Sequence, residues 1–232
     1  MRPIYVTRSL SVLADADGIA LDQNLAAAGN LVLTGAALVV AGVAQLGAQR
    51  KVLLTSGAGD NLAAITFTIY GTDDQGHSIS ESLAGPNAGT VQSVLDYSTV
   101  TRIAASAAFG VGITVSAGTN DVGASAPIPM DQYLPNFLAM IAALIRSGAV
   151  NYTVQYTFDN VFDAYDFSNT NIFLPGASSG RPDLIAWWDH STMTALAVSG
   201  KGELNAPVKA IRVVTNSGAG ELELQVVQQG TM

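Results

Sequence analysis

Hydrophobic and polar residues alternate in short runs along most of the chain, the period that predicts β-strands with one buried face. The clearest run is AITFTIY at 64–70. Its apolar side chains share one face: Ile65, Phe67 and Ile69. The Asp- and Gly-rich residues 71–76 predict a tight turn, and 77–83 (HSISESL) returns with matching alternation. This stretch therefore predicts an antiparallel hairpin.

Further strands are predicted wherever such a run lies between Gly, Pro, Asn or Asp residues. They cover 3–7, 50–56, 90–95, 98–104, 111–116, 150–158, 208–215 and 221–228. The last two are expected to form a hairpin around the loop at 216–220. Residues 137–145 (FLAMIAALI) suit a helix or a buried strand. A strand is favoured, because Gly148 and the alternating run 150–158 follow it as a hairpin partner.

The most apolar window, 31–46, contains Gly, Thr and Gln and is shorter than the roughly 20 residues that cross a bilayer. It is interpreted as two short strands around a Gly turn, with a membrane span as the minor alternative. The N-terminus lacks the long apolar stretch of a secretory signal. No membrane partner is expected.

Short strands separated by turn residues at this spacing indicate a β-sandwich or barrel. We therefore predict a mainly all-β fold with two antiparallel sandwich-like or barrel-like domains in tandem. The domains are expected at 28–126 and 127–232, joined by the proline-containing stretch APIP at 126–129. Residues 1–27 have poor periodicity and are predicted to form an extended arm that packs on another surface.

Two stretches of the chain resemble each other. VLLTSGAG at 52–59 and RVVTNSGAG at 212–220 each end in a Gly-rich loop that an alternating strand follows. The similarity predicts two related sandwiches. It is equally typical of any two β-strand pairs joined by such a loop.

Charge and composition narrow the range of functions. The net charge is −8 with ten Lys and Arg residues that do not cluster, which disfavours a nucleic-acid partner. The chain has no Cys and two His, so thiolate chemistry is excluded and His-based sites are largely excluded. Charged residues make up 12% of the chain, against about 25% in an average soluble domain.

Two motifs resemble catalytic or phosphate sites. Asp189, His190 and Ser191 are the residue types of a hydrolase triad, but neighbouring residues point apart and rarely form that relay. A surface turn is the favoured interpretation, and His77 is expected to be solvated. The Gly-x-Gly pieces at 57–59 and 218–220 are followed by strands, whereas a phosphate loop requires a helix. No catalytic residue and no cofactor are predicted.

Oxygen-bearing side chains gather in one segment: Asp159, Asn160, Asp163, Asp166 and Asn169. Ca²⁺ takes six to eight oxygen ligands, so Asp159, Asp163 and Asp166 are weak metal candidates. Their spacing does not match an EF-hand loop, and a solvated acidic loop is favoured.

Aromatic residues concentrate between 158 and 188, in a long stretch that is poor in Lys and Glu. A buried core is the default interpretation, but the composition also suits a protein–protein contact. The interface candidates are Phe162, Tyr165, Phe167, Phe173, Trp187 and Trp188. A carbohydrate-binding sandwich is an alternative, with Trp187, Trp188 and Tyr165 stacking on sugar rings.

Residues 52–103 resemble a family of virion structural proteins of tailed bacteriophages. The similarity lies in the strand and Ser-Gly loop at its start, the TFT–G–T–D–G pattern, the ES–GPNAGT turn and the Y–TVT–I strand. Three later segments resemble the same family: PIPMDQY at 127–133, VNYTVQYTFDNVFD at 150–163, and 206–230. Residues 134–147 and 164–205 match less well.

The resemblance implies a non-enzymatic component of the phage particle, assembled in the cytoplasm of the bacterial host. Its expected partners are other virion proteins, either the major capsid protein or tail and portal proteins, and a homo-oligomer is expected. Capsid decoration, in which the protein cements neighbouring capsid subunits, is favoured over a tail or head–tail connector role.

Overall fold

The protein is described by a computed structural model that covers residues 4–35, 38–134, 136–159, 161 and 185–229. Across these residues the chain is all-β and its sheets are antiparallel, which confirms the predicted fold class. The first strands are β1 (Ile4–Val12), β2 (Asp15–Gln23), β3 (Gly29–Asn30), β4 (Val39–Val40), β5 (Val43–Arg50), β6 (Val52–Ser56), β7 (Thr66–Thr72), β8 (Ser78–Ala84), β9 (Thr90–Gln92), β10 (Tyr97–Ala105) and β11 (Val115–Thr119). They are followed by β12 (Gly123–Ala124), β13 (Ile128–Pro129), β14 (Ala139–Gly148), β15 (Asn151–Thr157), β16 (Trp188–Asp189), β17 (Gly200–Leu204), β18 (Ala210–Ser217) and β19 (Gly220–Gln228).

The described residues divide into two compact units. The central unit runs from Leu13 to Asn120, and the C-terminal unit combines strand β1 with the residues from Asp121 onward. These limits differ from the expected 1–27, 28–126 and 127–232. The first 27 residues do not form one separate arm, because β1 pairs with β19 over nine residues and β2 pairs with β11. Each strand of this segment thus belongs to a different unit.

The central unit is built from two antiparallel sheets. One has the order β2–β11–β6–β9, and the other has the order β5–β10–β7–β8, with β3 added to β10 and β4 to β5. Side chains from both sheets are fully buried together, among them Leu54, Phe67, Ile103 and Val115. The alternation seen in the sequence thus places one face of each strand in a shared core.

The C-terminal unit also contains two antiparallel sheets. One has the order β1–β19–β14–β17, and the other has β16–β15–β18 with β12 and β13 added to β18. Tyr152 of β15 reaches across the core, and its hydroxyl donates to the Val198 carbonyl at 3.0 Å. Ile141, Val154, Ile211 and Leu224 are buried around it.

The structure confirms some of the predicted connections and corrects others. The β7–β8 hairpin is confirmed, with seven consecutive residue pairs. Residues 139–145 of the segment 137–145 lie in strand β14, as favoured, and no helix is present among the described residues. The two predicted hairpins 137–158 and 208–228 are wrong, because β14 and β15 lie in different sheets, as do β18 and β19.

The two corrected connections are arches that carry the chain from one sheet to the other. Residues 149–150, after Gly148 at the end of β14, join it to β15, and residues 218–219 join β18 to β19. The arches lie side by side, because β14 pairs with β19 in one sheet and β15 pairs with β18 in the other. Gly148 and Gly218 take φ values of +69° and +100° there, conformations that glycine tolerates best.

The apolar window 31–46 is not a helix in its described part. It contains β4 and the start of β5, joined by Ala41 and Gly42 with φ values of +52° and +80°. Positive φ at both central residues is typical of a tight hairpin turn whose twist matches the strands. No helix in the described residues has the length and apolar character needed to cross a membrane.

The suspected internal repeat has a counterpart in the topology. In the central unit, β6 precedes the Gly-rich loop in one sheet and β7 follows it in the other. In the C-terminal unit, β18 and β19 have the same relation. The two similar stretches of sequence therefore make the same kind of inter-sheet crossing.

Candidate functional site

The two adjacent tryptophans lie at the edge strand β16 and face opposite sides of their sheet. Trp188 pairs with Tyr156, which pairs in turn with the buried Ile211, so these three side chains share the core-side face. Trp187 stacks on the guanidinium of Arg212, 4.0 Å from its ring centroid, on the other face. The pair therefore does not present one flat stacking platform, the arrangement that the carbohydrate alternative needs.

Polar contacts hold this edge strand in place. Gln155 donates from Nε2 to Asp189 Oδ1 at 2.9 Å, and Arg212 Nε donates to Gln155 Oε1 at 3.0 Å. Asp159 accepts the Ala186 N–H at Oδ2 over 2.7 Å. Trp188 remains 56% exposed, and Phe158 at the end of β15 is 50% exposed. The result is a partly open aromatic edge beside ordered polar contacts.

The remaining interface candidates, Phe162, Tyr165, Phe167 and Phe173, lie outside the described residues. So do the metal candidates Asp163 and Asp166. Asp159 is described, and its Oδ2 caps the backbone at Ala186. Within the described residues, no three His, Cys, Asp or Glu side chains come together as a metal site would require.

The triad-like residues do not form a relay. His190 is 3% exposed, and its Nε2 lies 3.0 Å from the Glu203 carbonyl. Its Nδ1 accepts the Thr192 N–H at 3.3 Å. Asp189 instead accepts from Gln155, and Ser191 is exposed. His190 thus ties the 190–196 turn to β17, and it is buried, whereas the sequence suggested a surface turn.

Replacing His190 with alanine is expected to lower the free energy of unfolding of the C-terminal unit by about 2–4 kcal/mol. The change opens a cavity beside Gly202, whose Cα hydrogens lie under the imidazole, and leaves the Glu203 carbonyl without this donor. Urea unfolding followed by tryptophan fluorescence measures the loss. Ser191→Ala is the control and should change stability by less than about 0.5 kcal/mol, because Ser191 is exposed.

An exposed apolar row crosses the outer face of the sheet β1–β19–β14. Tyr5, Val227 and Met140 are direct register neighbours and are 62%, 39% and 45% exposed. We call these three residues the apolar row. Sequence reasoning missed it, because its members come from three distant segments. The only local signal is that Tyr5 and Val227 each interrupt the polar positions on the solvent side of their strands, and the solvent side of β14 has no such pattern around Met140.

The β7–β8 turn is organised by a buried carboxylate. Asp73 is 2% exposed and accepts the Gln75 and His77 N–H groups at Oδ1, at 2.8 and 2.9 Å. His77 Nδ1 lies 3.0 Å from Asp73 Oδ2. These contacts build the turn itself, so His77 is partly packed rather than fully solvated as the sequence suggested.

Glu81 of β8 is a partly buried carboxylate beside the loop that follows β9. Its Oε2 accepts the Val94 N–H at 2.9 Å, and its Oε1 is buried without a partner among the described residues. Burial raises the pKa of Glu81, while the hydrogen bonds from the loop and the nearby ammonium of Lys51 act in the opposite direction. Burial, with the charge of Glu81 adding to it, also raises the pKa of Tyr97.

The raised pKa of Glu81 predicts a pH-dependent contribution to stability. The folded protein binds the proton more tightly, so this contribution is greatest below the pKa of an unfolded glutamate, about 4.3, and is lost as pH rises through the folded value. We expect the stability difference between wild type and Glu81→Gln to decrease from about pH 4 to about pH 7. Urea unfolding at both pH values tests this, with exposed Asp22→Asn as control. A constant difference would contradict it.

No protein-family model matches the chain, and no curated protein matches its sequence. The Gly-x-Gly pieces at 57–59 and 218–220 lie in loops that lead into β7 and β19, so neither opens a helix that could hold a phosphate. The surface features that remain for a functional argument are the apolar row and the aromatic edge at Trp188.

Proposed function

We propose that this protein is a non-enzymatic structural component of a tailed-bacteriophage virion. Its favoured role is capsid decoration, in which it binds neighbouring subunits of the major capsid protein without forming covalent bonds. The proposal rests on the resemblance of residues 52–103, 127–133, 150–163 and 206–230 to virion structural proteins. It assigns the protein to the particle, assembled in the cytoplasm of the host.

The apolar row is the structural observation that supports association with a partner. A sheet face that displays Tyr5, Val227 and Met140 in the open exposes apolar surface whose burial against a partner is favourable, at about 25 cal/mol per Å². The neighbouring positions on β1, β19 and β14 are Thr7, Gln225 and Ala142, which are uncharged, and the two rows end on β17 at Glu203 and Lys201. Uncharged groups lose less solvation free energy than charged ones on burial, so the part of the face formed by β1, β19 and β14 suits association.

A tail or head–tail connector component is the alternative within the same class. The two roles differ in copy number, since decoration requires hundreds of copies and a connector ring about 6 or 12. The carbohydrate-binding alternative has less support, because Trp187 and Trp188 face opposite sides of their sheet.

Binding to particles that lack the protein tests the role of the apolar row. The purified chain is added to virions of a deletion strain, and bound protein is measured after sedimentation. We expect Met140→Asp combined with Val227→Asp to weaken binding at least about tenfold, because two apolar contacts are lost. Val111→Asp, at a fully exposed site outside the row, should bind as wild type.

Two results would overturn the proposal. One is wild-type protein that does not bind the deletion particles at all. The other is equal binding by the double variant and by Val111→Asp. Circular dichroism of each variant confirms that it is folded before binding is compared.

A further inference from the structure

We infer that β1 is a strand-addition edge, and that its occupant is β1 of a second copy of this chain. The two strands would pair antiparallel across a two-fold axis and join the two β1–β19–β14–β17 sheets. This inference concerns the free protein and holds whether or not the protein belongs to a virion.

β1 differs from the other edge strands of the described sheets in being both long and regular. Its one charge, Arg8, lies on the core-side face, and its Nη1 donates to the Thr7 carbonyl of the same strand at 3.4 Å. It pairs with β19 over nine consecutive residues without a register shift. β2 has two register shifts, and β9 and β16 are three and two residues long. β17 is five residues long and contains Lys201, and β8 has Glu81 bound to the adjacent loop. Bulges, short length and charges are the devices that protect sheet edges.

The sequence of β1 is suited to pairing with itself. The solvent-side face of β1 presents Tyr5 and then three hydroxyl residues, Thr7, Ser9 and Ser11. The one charged residue of the strand, Arg8, lies on the opposite face. A register centred on Arg8 would place two guanidinium groups opposite each other and is disfavoured. A register centred on Thr7 places Arg8 opposite Val6, and Thr7 opposite Thr7 of the second copy, a hydroxyl pair that is favourable across strands.

In the same register, the apolar row of one copy ends at a polar residue of the other. Tyr5 would lie opposite Ser9 of the second copy, and in that copy Ser9 is the neighbour of Glu223. Strands in a sheet lie about 4.8 Å apart, so the phenol of Tyr5 lies within reach of this carboxylate. Residues 4–10 of each copy would pair, which satisfies backbone groups on the open side of β1.

Single cysteines provide a direct test, because the natural chain contains none. In Thr7→Cys the two thiols would face each other across the axis, so mild oxidation is expected to give a covalent dimer on a non-reducing gel. Ser147→Cys is the control, at an exposed position on β14 away from the β1 edge, and should remain monomeric on that gel.

The native mass gives an independent readout. Light scattering at micromolar concentration is expected to show twice the mass of one chain for wild type, and one chain for Thr7→Lys, whose charge is added at the edge. Tryptophan fluorescence verifies that Thr7→Lys is folded. A monomeric wild type would overturn the inference, as would a dimer that Thr7→Lys leaves intact. The particle-binding assay for the proposed function can fail without affecting either readout.

Discussion

Gly218→Ala is expected to destabilise the C-terminal unit by about 3–5 kcal/mol, a large part of the 5–15 kcal/mol that stabilises a typical domain. Gly148→Ala should have a similar effect. Both Trp residues of the chain, Trp187 and Trp188, lie in this unit, so urea unfolding followed by tryptophan fluorescence reports on it directly.

Two physical causes add at these positions. A residue other than glycine loses about 1–2 kcal/mol in the left-handed conformation. In addition, a Cβ on Gly218 would lie 2.3 Å from the Ala149 carbonyl oxygen, and a Cβ on Gly148 would lie 2.3 Å from the Ala219 oxygen. Each glycine thus allows its arch to approach the backbone of the other arch.

Gly112→Ala is the control that separates the cost of a positive φ from the cost of crowding between the new Cβ and the backbone. Gly112 has a φ of +79°, but no heavy atom outside its immediate neighbours lies within 4 Å of a Cβ built there. Gly112→Ala should therefore lower the free energy of unfolding of the central unit by only about 1–2 kcal/mol. Calorimetry measures this change. If Gly218→Ala were no more destabilising than Gly112→Ala, the close packing of the two arches would be contradicted.

Arg50→Ala is expected to destabilise the central unit by about 3 kcal/mol. Arg50 is 3% exposed, and its Nη2 donates to the carbonyl oxygens of Leu13, at 2.6 Å, and Asn120. Leu13 and Asn120 are the first and last residues of this unit. One guanidinium thus joins the two ends, and its removal leaves the Leu13 and Asn120 carbonyl groups without this charged donor.

Calorimetry separates this effect from any change in the C-terminal unit, which tryptophan fluorescence follows. Arg50→Lys should restore little of the free energy of unfolding that Arg50→Ala loses, because a single ammonium does not reproduce the planar geometry of the guanidinium. Arg102→Ala is the matched control, since Arg102 is exposed and stacks on Tyr70, and it should cost about 0.5–1 kcal/mol. An equal loss of stability of the central unit in Arg50→Ala and in Arg102→Ala would contradict the role given to Arg50.

Local sequence was sufficient to locate most strands. Alternation at 64–70 and the Asp-Gly turn after it specify the β7–β8 hairpin, because both the buried face and the turn geometry are encoded within about twenty residues. The turn residue Asp73 also lies within this segment. Where the determinants of a structure are contiguous, the prediction succeeded.

Sheet assignment and unit boundaries were not accessible in the same way. A Gly-rich loop such as 216–220 can return a strand to its own sheet or carry it to the opposite one, and the choice depends on β14 and β15 packing alongside. Similarly, β1 joins the C-terminal unit through β19, which lies at the other end of the chain. Such long-range pairing leaves no local pattern.

The candidate surface features also differ in whether the sequence alone could identify them. Trp188 could be named from the sequence, because a Trp in a segment poor in charge is conspicuous by itself. The apolar row could not be named, since Tyr5, Met140 and Val227 become neighbours only through the register of three strands. The opposite facing of the two tryptophans is likewise a long-range result, since Trp188 pairs with Tyr156 whereas Trp187 stacks on Arg212.

The proposed virion role is tested most directly by quantitative mass spectrometry of purified phage particles. The measured quantity is the number of copies of this protein per particle, calibrated on the major capsid protein. Capsid decoration predicts hundreds of copies that persist through density-gradient purification. Absence of the protein from purified particles would contradict its assignment as a virion component, and about 6 or 12 copies would contradict decoration in favour of a connector.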